Sequence, residues 1–189
     1  MGAHASDGSI LTLLRTFDVP KLERFATKRH FTRRVTDGPT VLPQYDATDF
    51  APKLIVLDDS GDFERAFFTG REGKIENRFE PTRLRVHDLT TKYSEVRHHP
   101  FVLTALWPNY SVKLAHVVYL LRQLYEGNDH PLTKEDNNLF FIDGRDTLIY
   151  AVKLKWIEST DNRPFWCLTV RTIACLNSYS YNGTRVISS

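Results

Sequence analysis

Residues 147–158 read TLIYAVKLKWIE and residues 165–176 read FWCLTVRTIACL, with Ser159-Thr160-Asp161-Asn162-Arg163-Pro164 between them. Side chains alternate between the two faces of a strand with a period of two. Leu148, Tyr150, Val152, Leu154 and Trp156 therefore share one face of the first run, and Trp166, Leu168, Val170, Ala174 and Leu176 share one face of the second. These are the core faces. The opposite faces carry Ile149, Ala151, Lys153, Lys155 and Ile157, then Phe165, Cys167, Thr169, Arg171 and Ile173. If residues 158 and 164 close the hairpin, Lys153 stands opposite Thr169, Lys155 opposite Cys167 and Ala151 opposite Arg171. Three cations then gather around a hydroxyl on one sheet face.

A third β-prone run, Leu139 to Asp143, joins the first through Gly144-Arg145, and connections this short predict an antiparallel three-stranded meander. Upstream, Leu114, Val117, Val118, Leu121, Leu124 and Tyr125 recur at helical spacing between Asn109 and Gly127, with the glycine as the stop. His116 falls on the other side of that helix and is expected at the surface. Phe101 to Trp107 fits a strand or a helix equally, because a short apolar run has no decisive period.

The N-terminal third reads as helical. Leu13, Leu14 and Phe17 form one cluster, and Asp18-Val19-Pro20 restarts a helix whose inward side carries Leu22, Phe25 and Ala26. Residues 36–52, with Pro39, Pro43 and Pro52, read as an extended loop. Lys53 to Leu57 and Phe63 to Thr69 read as strands of a hairpin around Asp58-Asp59-Ser60-Gly61-Asp62, and Arg83 to His87 as a short strand. The expected fold is α+β, with N-terminal helices and a central helix packed on a mainly antiparallel sheet ending in a three-stranded meander. Residues 1–189 form one domain in this reading, with 1–9 flexible and 177–189 a flexible tail.

Composition bounds the function. Lys+Arg 25 against Asp+Glu 23 leaves a net charge of +2, which excludes a uniformly basic wrapper of nucleic acid. No apolar run reaches the ~18 residues of a transmembrane helix, so no integral membrane segment is expected. Cys167 and Cys175 lie in one β run, about 26 Å apart at strand rise, far beyond disulfide reach. With no secretory leader at the start of the sequence, a reducing, cytoplasmic location is expected.

The small net charge hides two opposed blocks. Residues 15–35 hold seven Lys/Arg against two acids, and residues 36–65 hold seven acids against Lys53 and Arg65. Lys28, Arg29, Arg33 and Arg34 could hold phosphates or anionic lipid head groups, or simply form a solvated helix end neutralised by the acidic block. Met1-Gly2-Ala3-His4-Ala5-Ser6 matches the myristoylation pattern, with Gly2 as the acylated residue.

No recognised catalytic motif is present. The 58–62 stretch lacks the glycine of a calcium loop, having Phe63 at the sixth position. Thr69-Gly70-Arg71-Glu72-Gly73-Lys74 lacks the first glycine and the Ser/Thr of a phosphate loop, and the histidines show no zinc spacing. No metal and no cofactor is expected. Catalysis, where there is any, is of the metal-free kind: His98 or His99 moves protons while Arg171, with Lys153 and Lys155, stabilises a phosphorane and Thr169 positions it. That chemistry suits RNA cleavage through the 2′-OH.

The sequence therefore points to a nucleic-acid-binding domain, for RNA in preference to DNA, with metal-independent endoribonuclease activity as its catalytic form. The alternative is a non-enzymatic adaptor or peripheral membrane protein. It would use acylated Gly2 and the basic segment on an anionic membrane surface, or exposed aromatics such as Trp107, Tyr110, Tyr179 and Tyr181 on a protein partner.

Overall fold

Among the described residues the chain forms eight strands and three helices. The computed structural model describes residues 10–21, 31–33, 55–57, 62–67, 80–89, 99–144, 147–158, 164–173 and 184–189. In chain order the elements are β1 (Leu11–Val19), β2 (Phe31–Arg33), β3 (Ile55–Leu57), α1 (Asp62–Phe67), β4 (Thr82–Leu89), α2 (His99–Leu106), α3 (Leu114–Tyr125), β5 (Asn137–Asp143), β6 (Ile149–Ile157), β7 (Phe165–Thr172) and β8 (Thr184–Ser188). The strands form one sheet in the order β1-β4-β8-β5-β6-β7-β3-β2. Six strands have five residues or more, and β2 and β3 have three each.

The sheet is mixed. β5, β6 and β7 pair antiparallel, as do β1 with β4 and β4 with β8, whereas β8 runs parallel to β5 and β3 runs parallel to both β7 and β2. A parallel neighbour needs a long crossover, and residues 144–183 supply one between β5 and β8. Both faces are covered in part. Phe63, Ala66 and Phe67 of α1 and the apolar side of α3 pack on one face with Tyr150, Val152, Leu154, Trp166, Leu168 and Val170. Val102 and Leu106 of α2 pack on the other with Leu139, Phe141, Ala151 and Val186.

This overturns the expected fold class of N-terminal helices and a central helix on a sheet ending in a meander. Residues 11–19 and 31–33 of the N-terminal segment are strands rather than helices, and β1 carries a bulge between Leu13 and Arg15 that breaks the period of two. Leu11 packs on the α2 side of the sheet, while Phe17 and Val19 pack on the α3 side. Apolar residues fall at 10, 11, 13, 14, 17 and 19, and the subset at 10, 13, 14 and 17 imitates the spacing of a helix. Conversely, Phe63, Ala66 and Phe67 form α1, although Phe63 to Thr69 reads as a strand. Residues 184–188 are a central strand with Val186 and Ile187 fully buried, where a tail was expected. The sheet thus does not end in the meander. Residues 1–9, most of 22–54 and 174–183 lie outside the described residues.

His116 also departs from expectation, being 3% exposed. Its Nδ1 accepts the Lys113 backbone N–H at 3.0 Å, closing the start of α3. Burial, followed by the nearby Lys113 charge, lowers its pKa to about 4. Phe101 to Trp107, ambiguous by period, is mostly helix α2.

Candidate functional site

The register of β6 with β7 pairs Lys153 with Thr169, Lys155 with Cys167 and Ala151 with Arg171, as strand alternation required. Helix α2 covers only one end of this face. Exposure consequently rises along β6, from buried Ala151 through half-buried Lys153 to exposed Lys155, and Cys167, Thr169 and Arg171 are half-buried. Lys153 and Lys155 are two positions apart, about 6.6 Å along the strand, with the β7 side chains about 5 Å to one side. A linear polyanion can cross such a face with successive charges met in turn. Lys155 has no ion-pair partner among the described residues.

At the Lys155 end the ladders stop unevenly. The β5–β6 ladder ends at Asn138 and Leu154, while the β6–β7 ladder continues to Ile157 and Phe165. A groove of about 380 Å³ opens in that notch, lined by Lys134, Glu135, Lys155, Trp156, Ile157 and Glu158. Trp156 stands edge-on to the buried Trp166, with centroids 5.3 Å apart, and Lys134 Nζ lies 4.7 Å above the Trp156 ring. Asn138, where the β5–β6 ladder ends, is fully buried. Its carboxamide accepts the Thr133 N–H at 2.9 Å and donates to the Thr133 carbonyl at 2.8 Å and the Leu154 carbonyl at 3.3 Å. The segment that bears Lys134 and Glu135 is thereby tied to β6.

Sequence reasoning missed this groove. Trp156 reads as the last residue of a core face, and the available signal was its size: tryptophan at a strand end is seldom wholly buried. Lys134 and Glu158 carry no pattern at all, since their meeting depends on where two ladders terminate.

The remaining predicted residues are scattered. Arg33 enters through the backbone of β2, two strands from β7, or about 10 Å at strand spacing. Lys28, Arg29, Arg34, Gly2 and His98 lie outside the described residues, and His99 opens α2, its side chain also outside them. One histidine unforeseen by the sequence reading, His87, lies on the lysine-bearing face. Its Nε2 is 3.4 Å from Ser188 Oγ, and burial with the Arg85 charge lowers its pKa. It stands three strands from Lys153, about 14 Å away, with Val186 and Leu139 between them.

Elsewhere, Trp107 is 63% exposed and stacks on Tyr110 at 5.2 Å between centroids with planes 20° apart. Tyr110 and Ser111 donate to the two Asp143 oxygens at 2.9 and 2.6 Å, which holds the aromatic pair at the end of β5. Tyr179 and Tyr181 lie outside the described residues. Among the described residues no group of three or more His, Cys, Asp and Glu could hold a metal ion. No helix among them is long and apolar enough to cross a membrane.

Comparison with known proteins returns no matching family model, no matching curated protein and no matching solved structure.

Proposed function

We propose that this chain binds RNA through the open half of the β6–β7 face, with Lys153, Lys155 and Arg171 meeting phosphates and Thr169 offering a hydroxyl between them. The observation that carries the reading is the cross-strand register, which brings the three cations to one sheet face, with Lys155 exposed and Lys153 and Arg171 half-buried. Phosphate contacts supply most of non-specific nucleic-acid affinity, and a local cation row suffices where the net charge is only +2. The proposal is for binding. Cleavage also requires a proton carrier beside Thr169, and His87 is too distant to be it.

The test is anisotropy of a labelled single-stranded RNA against wild type, Lys155→Glu and the triple Lys153→Glu, Lys155→Glu, Arg171→Glu variant, with circular dichroism as the folding control. Affinity should fall with Lys155→Glu alone, since that side chain is exposed, and fall further in the triple variant. Binding that is absent, or unchanged between 50 and about 200 mM salt, sinks the proposal.

The exposed stack of Trp107 on Tyr110 favours a second reading, a docking surface for a protein partner. Trp107→Ala should leave RNA affinity unchanged if the stack serves a separate surface, and a parallel loss of RNA affinity would assign it to the first. The acylated form of this reading is checked by intact mass after expression in a myristoylating host: an unmodified Gly2 removes it.

A further inference from the structure

We infer that the notch at the end of β6 holds one unpaired nucleotide whose base carries an exocyclic amino group, so that the site takes single-stranded RNA and discriminates against uracil. The inference rests on the RNA-binding reading and assigns that surface its substrate class. Trp156 supplies the stacking plane. Its edge contact with the buried Trp166 fixes the ring's orientation, and the site that a base would take over the ring is held by the Lys134 ammonium. An exposed cation–π contact is weaker than base–indole stacking, so a base can displace Lys134 and leave its charge free for the adjoining phosphate. A paired base has both faces stacked within the duplex and cannot do this.

The acidic side chains give the base preference. Glu135 and Glu158 line the groove together with Lys134 and Lys155. Carboxylates repel phosphate, yet they accept hydrogen bonds from the amino groups of cytosine, adenine and guanine, and uracil has no such donor. A groove lined by two cations, two carboxylates and an indole offers partners for both ends of a nucleotide, its phosphate and the edge of its base. Trp156 and Lys155 project to opposite faces of β6 and both line the groove, so a strand anchored in the notch passes round the end of β6 to reach the cationic face at Lys155.

The experiment compares oligo(C), oligo(U) and a hairpin duplex of equal length on the full chain. Oligo(C) should bind roughly tenfold more tightly than oligo(U), and Glu135→Gln with Glu158→Gln should erase that difference while tightening both. Trp156→Leu should weaken oligo(C) about tenfold and leave the duplex unaffected. In a Trp107→Phe background the remaining tryptophans are Trp156 and the fully buried Trp166, so quenching of emission by oligo(C) reports stacking on Trp156 without altering the groove. Absent quenching, or equal affinity for oligo(C), oligo(U) and duplex, overturns the inference while leaving phosphate binding by the sheet face intact. Failure of all three nucleic acids to bind overturns both.

Discussion

His116 shows how one side chain can be read wrongly from its neighbours. Its position opposite Leu114, Val117 and Leu121 predicts exposure, yet the chain packs around it and uses its Nδ1 to satisfy an otherwise unpaired N–H at the start of α3. Protonation would place a proton on the nitrogen that accepts this bond, so burial and the cap both favour the neutral ring. The unfolded ring titrates near 6.5 and the folded ring near 4. Above pH 6.5 both states are neutral and the residue contributes no pH dependence. As pH falls below 6.5 the unfolded state takes up the proton first, and stability is lost progressively down to about pH 4. By pH 5 the loss from this site is about 2 kcal/mol. Urea midpoints at pH 7 and pH 5 should therefore differ strongly in wild type and much less in His116→Gln, whose amide can keep the cap. Asn138 is the second decisive residue. Asn138→Ala should cost about 1–3 kcal/mol in urea unfolding, because the Thr133 N–H and the Leu154 carbonyl lose their buried partner. No alternation pattern marks either residue, since each is decided by a single polar atom that burial leaves in need of a partner.

Among the elements, β6 and β7 were legible because each is long, alternates cleanly and is joined to its neighbour by a short turn. β1 was not, because one bulged residue moves Arg15, Phe17 and Val19 to the face opposite Leu11. The short β8 was missed for a different reason. Val186 and Ile187 are adjacent and both buried, which is the mark of a strand covered on both faces, but five residues at the end of a chain show no period. Truncation after residue 183 separates these readings. Removal of a tail would be silent, whereas removal of β8 strips β4 and β5 of a shared neighbour and should abolish the cooperative unfolding transition followed by circular dichroism. The end of α3 behaves as its glycine predicts. Gly127 has φ of 73° and a Cβ there would meet nothing within 4 Å, so Gly127→Ala should cost about 1 kcal/mol from backbone conformation alone, measured by thermal or urea unfolding.

At the scale of the molecule, a net charge of +2 is compatible with polyanion binding only if the charge is locally arranged. The pairing of β6 with β7 supplies such an arrangement, placing Lys153, Lys155 and Arg171 on one sheet face. Each phosphate met on a single strand contributes about 0.7 to the slope of log affinity against log salt. The triple charge-reversal variant should accordingly show a slope shallower by about 2, read from anisotropy titrations across 50 to about 300 mM salt. An unchanged slope would mean that the phosphates are met elsewhere on the molecule.

The amino-acid sequence alone determined the meander strands, their register and hence the juxtaposition of Lys153, Lys155 and Arg171 with Thr169, because alternation and a short turn are local properties. Only the tertiary structure decided that β8 lies between β4 and β5, that α2 shields one half of the cationic face, and that Lys134 meets Trp156 in a notch. Each of those depends on packing between segments far apart in the chain, where the free energy of burial rather than local periodicity selects the neighbour.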